Sequence, residues 1–436
     1  MTRGVRAVSR PRLIPPILRD NMEFRWLWLG QSVSLVGDQI TLIALPLVGV
    51  LALDASPAQM GYLAAAGLAP NLLFALHAGA LVDRLGRRRR VMIAADAGRA
   101  ALAAAVPLAY ATGQLSLGLL YTIAFLTGTL SVLFTVSYST LFVSVLPRDR
   151  YVEGNSMVNG GRAMSFVVGP SIGGWLVQVL TAPVALLADA LSFVGSALCL
   201  GRIKPTEPPT SAGERGQIIA GARFIVRSAV MRASLLATAT VNYFNFVLWA
   251  LFVLYVTRAL HISPGTLGLI LGAASTGGVL GSLVTARIGR RIGIGPTYIL
   301  GCVLFTAPLL LVPVAGGPRP LVVAMLLASE FASGFGVMLL DISAGSIFAG
   351  LIPDPLRARV SGAYMLVNYG VRPLGSLTGG ALGSILGLRP TLWIATAGAI
   401  AGVLWLLPSP VRRIRSIPDQ ADPAAAARPI PETATG

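Results

Sequence analysis

Residues 79–90 read "GALVDRLGRRRR". Five arginines fall between Arg84 and Arg90, and long apolar stretches flank the segment on both sides. Charge so concentrated in an oily chain marks a short loop held on one side of a membrane, because positive loops resist transfer across the bilayer. The composition agrees. The chain of 436 residues is 55% hydrophobic and 12% charged, with a mean hydropathy of +0.75, whereas soluble domains are about a quarter charged. A net charge of +17 would suggest nucleic acid in a soluble protein. Here the arginines sit at the ends of apolar runs, and no nucleic-acid partner is expected. Cys199 and Cys302 lie inside such runs, so neither a disulfide framework nor a C-x-x-C metal spacing is present, and no metal or cofactor is expected.

Runs of about 20 apolar residues are long enough to cross hydrocarbon as helix. They place spans at 24–52, 60–82, 91–112, 116–145, 156–180 and 183–201, then at 233–257, 265–287, 295–315, 320–346, 358–386 and 389–408. The expected fold class is all-α and integral to the membrane, with 12 transmembrane helices as two pseudo-symmetric six-helix bundles. The organisation expected is an N-terminal cytoplasmic tail over 1–23, a six-helix bundle over 24–201 and a central cytoplasmic loop over 202–232. A second bundle follows over 233–408, then a disordered cytoplasmic tail over 409–436. The central loop is proline-rich and charged at first, then reads as a short amphipathic surface helix. On this map the basic residues crowd into the even-numbered loops and the two ends, while the odd-numbered loops hold only Arg258, Arg319 and Arg389. Both termini are therefore expected in the cytoplasm and the chain in the cell (cytoplasmic) membrane.

The halves also repeat. "LPRDRYVEGNSMVNGGRAMSFVVGPSIGGWL" begins at Leu146 and "IPDPLRARVSGAYMLVNYGVRPLGSLTGGAL" at Ile352. At an offset of 206, Pro147 matches Pro353, and Gly173-Gly174 matches Gly379-Gly380. "LGRR" at 85–88 echoes "IGRR" at 288–291, with Ala286 where Asp83 would repeat. Two parallel six-span repeats are a transporter architecture with substrate bound between them.

Gly79, Leu81, Asp83, Arg84, Gly86, Arg87 and Arg88 spell G-x-L-x-D-R-x-G-R-R, which resembles the loop two–three signature of the major facilitator superfamily. The run from "VGDQITLIALP" to "ADALSF" is similar to the branch containing macrolide efflux proteins and the enterobactin exporter. The resemblance implies that Asp83 contacts the start of span eleven and that Arg87 pairs with an acid near span four, closing a cytoplasmic gate. Span four itself contains no acid, and the nearest is Asp149. Physically, glycine suits the tight turn, a carboxylate suits a helix N-terminus, and the arginines can reach lipid phosphates or the other half of the bundle. "GPSIGG", with Gly169, Pro170, Gly173 and Gly174, resembles the end of an antiporter motif on span five. Its glycines also permit close helix packing, and its proline bends the helix.

Ionisable groups at bilayer depth are expensive and mark functional candidates. Asp38 in span one and Glu330 in span ten are the expected proton carriers, with a structural pairing to Arg162 or Arg372 as the alternative. Either arginine could instead hold an anion. Asp96 and Arg99, three apart, share a helix face and are expected to neutralise each other. Asp189 and Asp341 are the other acids within spans six and ten. The polar-aromatic run "NYFNF" in span seven nominates Asn242, Tyr243 and Asn245, with Trp249 nearby, for substrate contact. No nucleotide-binding or intramembrane hydrolase signature occurs, so no enzyme is expected. The expectation is a secondary active exporter, a proton antiporter acting as a monomer on a small amphipathic molecule such as a drug, antibiotic or siderophore. A proton-coupled uptake symporter, and a non-transporting sensor or scaffold, are the alternatives.

Overall fold

Lipid offers no hydrogen bonds, so an apolar run that crosses it must satisfy its amides internally and becomes a helix. The computed structural model describes residues 15–204 and 218–416. The parts of the tails and central loop at 1–14, 205–217 and 417–436 lie outside the described residues, as do the side chains of Ala75, Leu76, Ala80, Asp83, Leu85 and Ile218. Among the described residues there are helices and turns and no strand. They are α1 (Pro16–Asp20), α2 (Met22–Leu47), α3 (Pro57–Leu85), α4 (Arg88–Ala111), α5 (Leu117–Val145), α6 (Tyr151–Val179), α7 (Ala182–Gly201) and α8 (Ile218–Arg227). Then come α9 (Ala229–Leu254), α10 (Pro264–Ile292), α11 (Ile294–Thr306), α12 (Leu311–Val314), α13 (Arg319–Leu351), α14 (Arg357–Ile385) and α15 (Leu388–Ala401). Nine segments among the described residues are long and apolar enough to cross a membrane. The helices α3, α6 and α14, of 29 residues each, coincide with the expected spans two, five and eleven.

The helix boundaries follow capping chemistry. Asn21 accepts a hydrogen bond from Phe24 N at 2.8 Å and starts α2, while its Nδ2 donates to Val145 O. Ser56 and Gln59 form a reciprocal capping box at the start of α3. Gly86 ends α3 with φ +58°, the left-handed conformation that glycine adopts freely. Gly79, by contrast, lies inside α3, where an added Cβ would meet nothing within 4 Å. The arginine cluster opens α4 and serves unlike partners. Arg87 is the exposed residue before its first turn and Arg88 is buried. Arg89 donates from Nε to Leu200 O (2.9 Å) and from Nη2 to Gly201 O (2.8 Å), capping the end of α7. Two of the arginines on the opposite side do the same work. Arg258 donates to Val50 O, and Arg389 donates to Pro313 O at 2.7 Å. Bare carbonyls at helix ends explain why these positive residues stand against the general charge bias.

Two compact units form. Among the described residues the first comprises 15–204, 249–272 and 376–388, and the second 218–248, 273–375 and 389–416. The units therefore do not follow the expected bundle boundaries at 201 and 233, because the odd-loop ends of α9, α10 and α14 pack on the first half. Within the first unit α2 lies against α7 and α6, and α4 against α7 and α5. Ile17, Phe24, Leu27, Met92 and Leu141 are fully buried at its even-loop end. The stretch 16–20 of the expected N-terminal tail is thus an ordered helix with Ile17 in the core. The expected disordered tail is likewise ordered to residue 416: Val411 is buried, and Ile414 O accepts from Gly295 N at 2.8 Å. Both segments are apolar enough to be held by the bundle they flank.

At the odd-loop end of the first unit the repeat appears again, now at an offset of 207. Each of two elbows has a π-helical turn, Val48–Ala52 or Tyr255–Ala259. Each then has a left-handed residue, Asp54 (φ 50°) or His261 (φ 53°), and an N-capping serine, Ser56 or Ser263, before Pro57 or Pro264. The following helices use glycine at matched places. A Cβ on Gly61 would sit 2.8 Å from Gly380 Cα, and one on Gly174 would sit 2.8 Å from Gly268 Cα. Helix packing in lipid depends on such close approach rather than on a hydrophobic drive. Overpacking a tight contact costs about 1–3 kcal/mol. Gly174→Val is therefore expected to lower thermal stability in detergent, whereas Gly79→Ala is expected to preserve or raise it through helix propensity. Equal melting temperatures for the two variants would refute this assignment.

Candidate functional site

Each unit carries its own intramembrane charge. In the first, α4 presents Asp96 and Arg99 one turn apart, and Arg99 Nη2 donates to Asp96 Oδ1. The guanidinium lies over the rings of Phe193 (4.3 Å) and Phe134 (4.5 Å), which receive its faces. Its Nη1 is 3.9 Å from Asp38 Oδ1 on α2. The expected pairing of Asp96 with Arg99 is present, but Arg99 also serves Asp38, which takes the place expected of Arg162 or Arg372. Arg162 is exposed on α6 and has no ion pair among the described residues.

Helix α7 adds a third carboxylate. Asp189 is 1% exposed, and its Oδ2 accepts from Thr41 Oγ1 on α2. The Ser192 hydroxyl is in donating distance of both Asp189 Oδ1 (3.0 Å) and the Asp189 carbonyl (2.8 Å). Gly37 permits this approach, since a Cβ there would strike Ser192 Oγ and Asp189 Oδ1. Asp189 thus lies along the same turn of α2 that carries Asp38, whose side chain is 41% exposed. Two of the three carboxylates, Asp38 and Asp96, stand within ion-pair distance of the Arg99 guanidinium. Among the described residues no group of three or more acidic, histidine or cysteine side chains is disposed to hold a metal ion.

The "GPSIGG" glycines back this cluster. A Cβ on Gly169 would strike Gln39, and one on Gly173 would sit 3.0 Å from Ile40 Cα, so α6 closes on the turn of α2 after Asp38. Gly174 faces α10, as above. α6 runs unbroken through Pro170.

In the second unit Glu330 is 2% exposed on α13, and its Oε1 has no hydrogen-bond partner among the described residues. Its neighbours Ser329 and Ser333 donate to Pro308 O and Phe305 O, where α11 breaks into a 3-10 turn. Glu330 meets neither Arg162 nor Arg372 among the described ion pairs. Arg372 on α14 instead lies over the rings of Tyr369 (4.5 Å) and Phe246 (5.2 Å), with Nη2 donating to Asn368 Oδ1 at 3.2 Å. Its Nε is buried without a partner. Asn245 is buried with Oδ1 also unpaired. Asn242 donates to Thr238 O on its own helix, and the Tyr243 ring packs edge-on against Phe244 at 5.1 Å. Trp249 belongs to the first unit, where it packs on Phe252 at 5.2 Å. Phe246, the last residue of "NYFNF", is the aromatic that meets the arginine. It was hidden in the sequence because nothing in the run distinguishes it from Phe244.

At the signature loop Arg84 is exposed on the last turn of α3, and no acid lies within ion-pair distance of Arg87 among the described residues. The Asp83 side chain lies outside the described residues, so its expected contact with span eleven does too.

A family described as a transmembrane secretion effector matches residues 16–432. The multidrug efflux pump Tap of Mycobacterium tuberculosis is 28% identical over 408 residues, covering 89% of this chain and 94% of that protein. YfiS of Bacillus subtilis, an MFS-type transporter described as uncharacterized, is 24% identical over 388 residues, covering 86% of this chain and 89% of its own. In structure, the nucleoside transporter NupG superposes with a TM-score of 0.73 at 13% identity, over 88% of this chain and 99% of that one. A bacterial homologue of the iron transporter ferroportin in an inward-facing state gives 0.67 at 15% identity, over 89% and 98%. Helical spans, intramembrane charge and a signature loop thus meet in one lineage: the chain belongs to the transmembrane secretion effector family of the major facilitator superfamily, whose members are membrane transporters rather than enzymes.

Proposed function

We propose that this chain is a secondary active exporter of the cytoplasmic membrane. It moves a small amphipathic molecule outward in exchange for protons by alternating access, acts as a monomer, and keeps both termini in the cytoplasm. The observation that carries the reading is the pairing of both Asp38 and Asp96 with the one guanidinium of Arg99, with Asp189 bonded to Thr41 on the helix that carries Asp38. Three ionised carboxylates and one cation cannot coexist cheaply at bilayer depth. The imbalance is relieved when a proton binds and restored when it leaves. One proton descending 100 mV supplies about 2.3 kcal/mol, enough to drive accumulation. The outward direction is supported by likeness to Tap, which is named a multidrug efflux pump.

In the second unit, Arg372 with Tyr369, Phe246 and Asn368 suits an amphipathic substrate, offering an unpaired N–H beside two ring faces. Glu330, without a cation beside it, is a second proton site on that side. Alternating access then requires the contacts at the odd-loop end, the outer one in this reading, to part: Gly61 from Gly380, Gly174 from Gly268, and Arg258 from Asp54, an ion pair of 2.5 Å. The signature loop acts as the inner gate through Asp83, Arg84, Arg87 and Arg88, turned by Gly86.

Reconstituted protein in vesicles with a lumenal pH dye tests the coupling. Adding an amphipathic antibiotic down its gradient should move protons the opposite way. Asp38→Asn is expected to abolish this linked flux, and substrate flux without proton movement in the wild type would sink the antiport reading. Arg372→Ala should weaken substrate binding by about tenfold, the loss of roughly one good polar contact, and leave protein folding unchanged. Unaltered affinity would remove Arg372 from the site. Asp83→Asn should insert normally yet transport slowly; wild-type rates would refute the gate.

A further inference from the structure

Helix α8, Ile218–Arg227, touches the ends of two spans. Only Ser228 separates it from α9, whose apolar span begins at Ala229. Arg232, in the first turn of α9, donates from Nη1 to Val226 O at 2.8 Å and so fastens the end of α8 to that span. The packed face of α8 rests on the first turn of α14. A Cβ on Gly221 would sit 2.8 Å from Val360 N, so the two backbones meet there. Ile225, one turn on, is buried beside Met231, Ile352, Val360 and Ala363. A helix of 10 residues, tied by its chain to one span end and by packing to another, is held at the level where the spans leave hydrocarbon.

A helix that only docked on the bundle would need one apolar face. α8 has two. Gly221 and Ile225 face the protein, while Ile219, Ala222 and Val226, at spacings of three and four, form a stripe on the opposite side. Ile219 is 70% exposed and Val226 62%. Arg223 and Arg227, each following a stripe position, run beside it and are exposed. Neither has an ion pair among the described residues, and Asp354, in the turn before α14, is taken by Arg357 at 2.7 Å. A basic row along an apolar stripe is the pattern of a helix seated in the headgroup layer, its apolar side chains at the acyl boundary and its guanidinium groups beside phosphates. A soluble anion would meet the arginines and leave the stripe in water. An apolar protein patch would cover the stripe and leave the arginines unpaired. Anionic phospholipid satisfies both.

We propose that α8 is an interfacial anchor for anionic phospholipid, with Arg223 and Arg227 on the phosphates and Ile219, Ala222 and Val226 against the acyl boundary. Through Gly221 and Ile225 the anchored helix bears on the first turn of α14, so lipid charge in this leaflet steadies the start of that span. The anchor depends neither on the coupling ion nor on the direction of transport.

Hydrogen exchange on the full chain in lipid nanodiscs tests the anchor, with the amides of α5 as an internal reference. In discs of phosphatidylcholine mixed with phosphatidylglycerol, the amides at 222–227 should exchange about thirtyfold more slowly than in phosphatidylcholine alone, each arginine contributing a factor of about five. Arg223→Gln combined with Arg227→Gln should match the wild type in phosphatidylcholine and lose the difference between the two lipids. Ile219→Ser combined with Val226→Ser should speed exchange in both. Equal wild-type exchange in the two lipids refutes the anchor. Inorganic phosphate that reproduces the protection in phosphatidylcholine discs refutes it in favour of a free anion. Strong protection insensitive to lipid and to both pairs of substitutions refutes it in favour of a protein cover. If the arginine variant fails to fold, the serine variant decides: unchanged protection in the anionic discs overturns the proposal.

Discussion

A single guanidinium organises the first unit. Arg99 stands at bilayer depth, where an isolated charge is expensive, and the surrounding helices are spaced to hold it. Asp96 meets it on its own helix, Phe134 and Phe193 cover its faces, and Asp38 approaches from α2. Those partners tie α4 to α5, α7 and α2 at one level. Gly37 then lets α7 close on α2, which brings Asp189 to the same turn. The cation that stabilises the bundle therefore also gathers more negative charge than it can balance. Stability and the proposed ion coupling draw on one cluster.

Close backbone approach is the complementary constraint. Where lipid removes the hydrophobic drive between helices, small residues supply the contact. The glycine crossings of the first unit bring backbones together, with Gln178 accepting from Gly265 N across one and Ser384 accepting from Ala58 N across the other. Each crossing thus has one such side-chain bond among the described residues to break on parting. The "GPSIGG" segment shows both uses on one helix: Gly169 and Gly173 seat α6 against α2, and Gly174 faces α10.

Much of this was legible in the sequence. Apolar runs located the helices to within a few residues, because a helix in lipid has no alternative backbone partner. The signature loop and the span-five glycines pointed to the superfamily. What stayed hidden depends on which turn of one helix meets which turn of another. Asp189 was visible as an intramembrane acid, but its approach to Asp38 depends on Gly37, one glycine among 49. Arg162 and Arg372 are the counter-charges that a reading of the spans offers, because both fall inside apolar runs. In the fold, Arg99 serves two acids, and Arg372 turns to aromatic rings. The shared elbows were overlooked because "LDASPAQMG" and "LHISPGTLG" match at only four of nine positions, and their likeness lies in backbone angles.

The elbows match in backbone but not in charge. Where the second carries Arg258, the first has Leu51, and where the first carries Asp54, the second has His261. The resulting ion pair is therefore single, and its acid is 94% exposed. An attraction so open to water is screened over about 8 Å at physiological ionic strength, while the buried Arg99–Asp96 pair is screened far less. Salt on that face thus tunes how firmly the elbows hold together and leaves the buried charges untouched.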